Sequence, residues 1–285
     1  MTTRLGLLHP GEMGISLAAA ALQNLSQVFW CSEGRSIATR KRAEQYGLTE
    51  VGTFAEFCQT CNLIIGVCPP HAAHEQALRL ITHKFKGTYV EANAISPMNV
   101  QAIAEKLAAA NIPCIDGGII GLPAWKENST WLYLSGADTE KVAQCFAKGL
   151  LITVSLGPDI GQASALKMCF AAWNKGNTAL LASILGAAEA QGVRAALEQQ
   201  WDIFTPGFTQ QTHQRITATA RKAWRFAGEM EEIGATMQQS GMPPEFFLGA
   251  AEIYRRETAF KDINVAPPID EILTALCRNK TITPE

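Results

Sequence analysis

The sequence has almost no excess charge and no long hydrophobic run. It contains 24 lysine and arginine residues against 26 aspartate and glutamate residues, for a formal net charge of −2. This balance gives no electrostatic reason to expect nucleic-acid or anionic-membrane partners. No apolar stretch reaches the roughly 20 residues that a membrane-spanning helix needs. The first residues run directly into a strand pattern, so we expect no cleaved signal peptide and a cytoplasmic protein.

A second pair of metal ligands is also missing. The chain has 8 cysteines, most of them inside apolar runs, which is typical of reduced and buried thiols. Cys58 and Cys61 form a C-x-x-C pair, but no second pair follows at the spacing of a structural zinc site. We therefore expect no bound metal and interpret this pair as a packed helix end that leads into a strand.

Repeats and low-complexity linkers are absent, but the two halves of the chain differ in pattern. The first half alternates short apolar, β-rich runs with helical segments, which predicts βαβ units that form a doubly wound parallel sheet over residues 1–157. From residue 158 onward strand signals nearly disappear. A long Ala-rich pattern from Ile160 to Gly192 is followed by helical patterns at 194–204, 210–240, 244–260 and 270–277. We therefore predict an all-helical domain over residues 158–285.

The turn after the first strand lacks the first glycine of a G-x-G-x-x-G pattern. In "HPGEMG" His9 takes that position, whereas Gly11 and Gly14 keep the other two. In the full pattern the second glycine lets the backbone approach a pyrophosphate, and the third permits close helix–strand packing. The helix that follows offers free N–H groups to phosphate. We predict that a dinucleotide contacts His9, Pro10, Gly11, Glu12, Met13 and Gly14; the alternative is an ordinary strand–turn–helix.

The end of the second strand bears on the choice between NAD and NADP. Glu33 is the acidic residue that would bind the ribose hydroxyls of NAD. Ser32, Arg35 and Ser36 place two hydroxyls and a guanidinium close together, which favours the 2′-phosphate of NADP. We predict NADP as the cofactor, with NAD as the alternative. The basic residues 40–42 are interpreted as a solvated helix face.

Several motifs in a fixed order carry a family resemblance. With "LHPGEMG", "CSEGRS", "VCPPHAA", "YVEANAISP" and "DGGIIG", the chain resembles the β-hydroxyacid dehydrogenase and 6-phosphogluconate dehydrogenase superfamily. The second half, with "ASALKMCFAAWNKG", is similar to the C-terminal domain of a poorly characterised branch of NAD(P)-dependent oxidoreductases. The resemblance covers essentially the whole chain. It implies a Rossmann domain over residues 1–157 that binds NAD(P). It also implies a helical domain over residues 158–285 that carries a catalytic lysine, serves substrate binding and dimerisation, and makes the protein a homodimer.

The resemblance also assigns roles to residues after the third and fourth predicted strands. It implies that Cys68, Pro69 and Pro70 line the cofactor and that Asn93 lies near the nicotinamide. Lys167 matches the catalytic lysine. Asn174 stands where phosphogluconate enzymes have a glutamate acid, and we expect it to orient the substrate or the lysine.

The implied substrate site departs from the family pattern. Ile120 replaces a serine that helps to hold the substrate carboxylate, and Phe170 and Ala171 replace a polar pair. Helical spacing would place Lys167, Phe170, Ala171 and Asn174 on one wall. Because polar partners are lost, we expect a larger or less polar substrate. The predicted substrate contacts are Gly118, Ile120, Gly121 and Phe170.

These observations predict an oxidoreductase that transfers hydride between NADP and a small carbonyl or alcohol substrate. Lys167 would act as general acid or base. An imine-type reductase and a non-catalytic NADP-binding sensor or assembly protein are the alternatives. Glu229 follows Arg225 by four residues, so we expect these two side chains to form an ion pair on a helix surface.

Overall fold

The structure is a computed structural model that describes residues 2–261 and 263–277. Its contacts divide the chain into two compact units, Met1–Met168 and Cys169–Glu285. The division falls inside a helix, later in the chain than residue 157, where the change of sequence pattern places the domain boundary. That functional boundary stays a prediction.

The described part of the first unit contains an eight-stranded sheet with the order β3-β2-β1-β4-β5-β6-β7-β8. Most of these strands are short apolar runs whose side chains are buried between helices, which is typical of a doubly wound sheet, whereas the two edge strands have no buried side chain. They are β1 (Leu5–Leu7), β2 (Val28–Cys31), β3 (Thr49–Val51), β4 (Leu63–Gly66), β5 (Thr88–Glu91), β6 (Cys114–Gly121), β7 (Thr130–Ser135) and β8 (Ile152–Gly157).

All neighbouring strands run parallel except β6 and β7, which pair antiparallel from Asp116↔Ser135 to Gly121↔Thr130. The predicted parallel Rossmann sheet is therefore confirmed with one antiparallel pair. The physical reason is the connection, because the loop between Gly121 and Thr130 is too short for the crossover that parallel neighbours require.

Helices cover both faces of this sheet. One core contains Leu7, Ile15 and Trp30, and the other contains Leu8, Phe54 and Ile64. The helices of this unit are α1 (Glu12–Leu22), α2 (Ile37–Gln45), α3 (Phe54–Thr60), α4 (Ala73–Thr82), α5 (Pro97–Ala109), α6 (Thr139–Gln144) and α7 (Gln162–Ala171), whose last three residues belong to the second unit. No helix among the described residues combines the length and apolar character that crossing a bilayer requires.

The described residues of the second unit form helices and turns but no strand, which agrees with the expected all-helical half. The remaining helices are α8 (Asn177–Ala190), α9 (Arg194–Phe204), α10 (Phe208–Ala220), α11 (Ala223–Gln239), α12 (Glu245–Arg256) and α13 (Ile269–Cys277). The single helix predicted over 210–240 is wrong, since it breaks at Arg221 and Lys222. Tertiary packing accounts for the break, because α10 packs against α8 and α9, whereas α11 packs against α12.

The long Ala-rich helix contains a π-helical segment, Ala172–Gly176, between α7 and α8. Two hydroxyl groups bond its backbone carbonyls: Tyr254 donates to Lys175 O at 2.8 Å, and Thr178 donates to Asn174 O at 3.0 Å. Such segments shift the helical phase and occur often at functional sites. The α-helical spacing used to place four residues on one wall is therefore wrong beyond Ala171.

The second unit also buries a carboxyl group. Glu257 is 1% exposed, and its Oε2 has no hydrogen-bond partner among the described residues. Burial raises the pKa of Glu257 from the ordinary 4.5 to about 8. The folded state thus holds this proton more tightly than the unfolded chain does.

Replacing Glu257 with glutamine should therefore change how stability depends on pH. The stabilisation from the protonated carboxyl is complete below about pH 4.5 and is lost as the pH rises to about 8. The Glu257→Gln variant lacks this loss. The difference between its Tm and that of the wild type should therefore increase across that pH interval and stay constant above it. Thermal unfolding by circular dichroism measures the gap, with exposed Glu245→Gln as the control. A gap that stays constant with pH would contradict this account.

Candidate active site

Most residues predicted to contact a cofactor lie at one edge of the sheet in the first unit. Strands β1, β2, β4 and β5 are parallel, so the loops that follow them meet at their carboxyl ends. In open α/β sheets ligands bind at this edge, next to the point at which the strand order changes direction. Here β1 lies between β2 and β4, so the turn after β1 occupies that position.

The turn after β1 is tight and open on one side. The Gly11 N–H donates to His9 O at 2.8 Å, and Gly11 is the N-cap residue of α1 with no side-chain cap. A Cβ on Gly14 would lie 2.1 Å from His9 O, whereas a Cβ on Gly11 would meet nothing within 4 Å. Gly14 therefore permits the close packing of helix and turn, and Gly11 leaves the helix N-terminus accessible to an anion.

Two polar atoms at this turn are buried without hydrogen-bond partners among the described residues: His9 Nδ1 and Arg35 Nε. Arg35 Nη2 donates to Leu8 O at 3.3 Å. Burial, together with the positive charges of Arg35 and Arg79, lowers the pKa of His9 to about 4. The His9 imidazole is therefore neutral at pH 7 and offers a donor or an acceptor, but no charge.

The predicted phosphate cradle after β2 is only partly assembled. The Ser32 hydroxyl is buried and donates to Val51 O at 3.5 Å, a marginal distance. Ser36 caps helix α2 by accepting the Thr39 N–H at 3.3 Å. Of the three residues named for the 2′-phosphate, Arg35 is the one that the structure brings to the turn after β1.

Two of the three basic residues at 40–42 make hydrogen bonds to neighbouring loops. Arg40 donates to Glu50 at 2.9 Å and to Ser32 O at 2.8 Å, and Arg42 donates to Pro10 O at 3.2 Å. Arg40 and Lys41 are exposed, as the sequence interpretation expected, although Arg40 also makes the two hydrogen bonds above. For Arg42 that interpretation is wrong, because its side chain is partly buried and reaches the backbone of the turn after β1.

The loops after β4 and β5 are joined through Asn93. The Cys68 N–H donates to Asn93 Oδ1, and the Asn93 side-chain amide donates to Glu91, as does its backbone N–H at 3.0 Å. Tyr89 donates its hydroxyl to the other Glu91 oxygen at 3.1 Å. Burial raises the pKa of Glu91 to about 7 although these hydrogen bonds oppose the shift. Asn93 thus cross-links two loops, with both ends of its amide engaged.

Neighbouring cysteines show no sign of reactivity. Burial raises the pKa of the Cys68 thiol to about 12, so it stays protonated at neutral pH. Burial has the same effect on Cys58 and Cys61 of the C-x-x-C pair. Pro69 and Pro70 lead into a short 3₁₀ turn, Pro70–Ala72, which precedes α4.

A buried carboxylate joins the sheet to the start of α7. Asp116 lies on β6 with 0% of its surface exposed. Its Oδ2 accepts from Ser135 at 2.9 Å and from the Gly161 and Ser164 N–H groups at 3.0 Å each. Its Oδ1 accepts from the Ser164 hydroxyl at 2.6 Å. An anionic oxygen at a helix N-terminus satisfies free N–H groups and complements the helix dipole.

Lys167 therefore sits at a fixed place above β6. A Cβ on Gly118 would lie 2.4 Å from Ala163 O and 3.3 Å from Lys167 Cβ, so glycine is required where α7 crosses the strand. Lys167 is partly buried. Of the predicted substrate contacts, Gly118 is covered by α7, Ile120 is 7% exposed, and Gly121 ends the strand with φ +121°.

Two further predicted residues, Phe170 and Asn174, lie in the second unit. Phe170 makes an edge contact with Trp173, with ring centroids 5.5 Å apart. Asn174 Oδ1 accepts from Arg215 at 3.3 Å. The ion pair expected between Arg225 and Glu229 is wrong, since Glu229 pairs with Lys175 from the π segment.

The comparison with known families decides the identity of the first unit. Residues 4–149 match the family described as the NAD binding domain of 6-phosphogluconate dehydrogenase. The chain belongs to this family. Residues 188–256 match a second family, described as a domain of unknown function, DUF1932. The resemblance read from the sequence motifs is confirmed, and the first unit of this 6-phosphogluconate dehydrogenase-like chain is a nicotinamide-dinucleotide-binding domain.

Several solved structures share the fold of this chain. The chain is 26% identical to MTH1747, a conserved protein of unknown function with structural similarity to 3-hydroxyacid dehydrogenases, with a TM-score of 0.67 over 90% of this chain and 98% of that one. It shares the fold of 3-hydroxyisobutyrate dehydrogenase from Mycobacterium tuberculosis, at 15% identity and a TM-score of 0.69 over 98% and 100% of the two chains. It also shares the fold of an imine reductase from Myxococcus stipitatus in complex with NADP+, at 17% identity and a TM-score of 0.56 over 96% and 100%.

Sequence reasoning missed the residues that hold this dinucleotide-binding edge together. Glu91 and Asp116 lie in motifs in which the sequence analysis assigned roles to neighbouring residues only. Arg79 lies in a helical pattern in which nothing marks it as functional. A charged residue inside a buried apolar run was the available sign for the two acids, because such groups need hydrogen-bond partners. Arg79 carried no such sign.

Removing the charge of Asp116 should strongly destabilise the first unit. Asparagine at this position keeps one acceptor oxygen but turns an NH2 group toward N–H and O–H donors, so Asp116→Asn should cost about 2–4 kcal/mol of folding free energy. Ser164→Ala, which removes the 2.6 Å bond alone, should cost less. Urea unfolding measures both losses.

The matched control is Asp159→Asn on the exposed turn before α7, with an expected change within about 0.5 kcal/mol. Equal midpoints for Asp116→Asn and Asp159→Asn would show that the buried carboxylate does not hold the helix.

Proposed function

We propose that the chain is an NADP-dependent oxidoreductase that transfers hydride between the cofactor and a carbonyl or alcohol substrate. Lys167 is its proton-transfer residue. The observation that carries the proposal is that two features needed for this reaction lie in the first unit. That unit holds both a dinucleotide turn with unsatisfied polar atoms and a lysine fixed above β6.

The residues at the turn fit a nicotinamide dinucleotide. The open N-terminus of α1 at Gly11, Glu12 and Met13 suits the pyrophosphate, since its N–H groups lack side-chain caps. The buried Nδ1 of His9 and Nε of Arg35 are orphans that a polar ligand would satisfy. Arg35 supports NADP, because its guanidinium lies at the turn between β1 and α1. The bound cofactor supplies or accepts the hydride.

Lys167 supplies the other half of the reaction. In the reductive direction its ammonium group donates a proton to the substrate oxygen while the carbon receives hydride, so the carbonyl becomes an alcohol. In the oxidative direction the neutral amine accepts the hydroxyl proton. Positioned proton transfer of this kind contributes about 10²–10⁴-fold to a rate. The clamp of Asp116 on α7 fixes the start of the helix that carries this side chain.

The substrate proposal rests on the loss of polar residues that the family pattern implies. Ile120, on β6 of the first unit, is apolar and buried where the family pattern implies a polar group. A site without those hydrogen-bond partners discriminates poorly for a small hydroxyacid, so we infer a larger or less polar carbonyl substrate. The fold shared with an imine reductase favours a C=N substrate as the second candidate. The homodimer stays a prediction.

The test begins with binding. Nicotinamide fluorescence should report NADPH binding by the wild-type protein, weakened about tenfold or more in Arg35→Ala, a change equivalent to about 1.4 kcal/mol. Lys41→Ala, which removes an exposed charge nearby, should leave the Kd unchanged.

A screen of carbonyl, imine and alcohol substrates follows, with Lys167→Ala as the comparison. This variant should keep cofactor binding and lose turnover by about 10²-fold or more. Failure of the wild type to bind either dinucleotide would contradict the proposal. Tight binding with no turnover on any substrate class would favour the non-catalytic sensor instead.

A further inference from the structure

The acidic residue that would recognise NAD is already engaged. Glu33 follows β2, where a carboxylate usually binds the ribose hydroxyls of NAD. Its Oε2 accepts the Phe54 N–H at 2.8 Å, and its Oε1 accepts from Arg79 Nη2 at 3.3 Å. A ribose diol would therefore compete with two donors from the protein for the same two oxygens.

Arg79 is held in place by three contacts. It extends from α4, where its Nη1 donates to Gln76 Oε1 at 3.4 Å. Its guanidinium carbon lies 4.0 Å from the ring centroid of Phe54, a residue that is 0% exposed. The third contact is the bond to Glu33. A guanidinium stacked on a buried ring and hydrogen-bonded to two side chains is fixed in orientation.

Arg79 also shares its surroundings with the phosphate-binding turn. Its positive charge acts on both His9 and Arg35, and it lowers the pKa of each after burial, which is the main cause. Arg79 is therefore close enough to His9 and Arg35 to add a positive charge near this turn, and the same guanidinium pairs with Glu33.

We propose that Arg79 is the residue that determines cofactor specificity, by neutralising Glu33 and presenting with Arg35 a positively charged site for the 2′-phosphate of the dinucleotide. This inference rests on the proposed function. It assigns the preference to a residue on α4, outside the loop after β2. Without Arg79, Glu33 would repel a phosphate and would have an oxygen free to accept from a ribose hydroxyl.

The proposal makes Glu33 and Arg79 interdependent. In Arg79→Met the Kd for NADPH should rise about tenfold or more while the Kd for NADH stays equal or falls. In Glu33→Gln the repulsive charge is gone, so NADPH should bind as tightly as in the wild type or more tightly. The double variant should recover part of the NADPH affinity lost in Arg79→Met.

These variants should fold, because the Arg79–Glu33 pair is partly exposed and such pairs add little to the folding free energy. Lys86→Met, which removes an exposed charge, is the control and should change neither Kd. Glu33→Gln keeps an acceptor for the Phe54 N–H, so it tests the idea even where Arg79→Met is poorly soluble.

The measurement is the ratio of the NADH and NADPH dissociation constants, followed by nicotinamide fluorescence in all five proteins. A ratio that falls about tenfold in Arg79→Met and recovers in the double variant supports the proposal. Nucleotide binding with the same ratio in wild type and Arg79→Met, or a wild type that prefers NADH, overturns the role of Arg79 and leaves dinucleotide binding standing. A wild type that binds neither dinucleotide overturns this inference together with the proposed function.

Discussion

The buried carboxylate of Asp116 is the interaction on which the proposed site depends most. An ionised group with no solvent exposure is costly unless donors surround it, and here Ser135, Gly161 and Ser164 supply them. The same bonds fix the first turn of α7 against β6, at the point where Gly118 allows helix and strand to touch. The position of Lys167 is therefore set by the sheet core. A proton-transfer residue gains from such a rigid support, because small misplacements of reacting groups are expensive.

The cofactor edge is built on the same principle, with polar side chains that join consecutive loops. Asn93 joins the loops after β4 and β5, Arg35 and Arg42 bond the backbone of the turn after β1, and Arg79 joins α4 to the loop after β2. Each bond connects segments that are distant in sequence and adjacent in the sheet. The atoms left without partners, His9 Nδ1 and Arg35 Nε, both lie at the turn where a dinucleotide would supply them.

Local patterns in the sequence predicted the order of most strands and helices, because buried strands and amphipathic helices have characteristic hydrophobic periodicities. Strand β3 (Thr49–Val51) was missed because it has three residues and no buried side chain. The π segment was missed because it differs from its α-helical neighbours in hydrogen bonding and not in composition. Glu91, Arg79 and Asp116 could not be given roles, since their partners are decided by tertiary contacts. The motif was enough to propose the turn after β1 as a phosphate site, whereas the hydrogen bonds of Glu33 to Phe54 and Arg79 could not be predicted.

The central claim is that Lys167 lies beside the nicotinamide ring when the first unit binds its cofactor. A crystal structure of the protein with NADP+ tests this claim most directly, through the distance from Lys167 Nζ to nicotinamide C4. We predict a separation that a single substrate carbonyl can bridge, with the pyrophosphate at the N-terminus of α1. A bound dinucleotide whose nicotinamide ring lies away from Lys167, with that side chain on the far side of α7, would contradict the account.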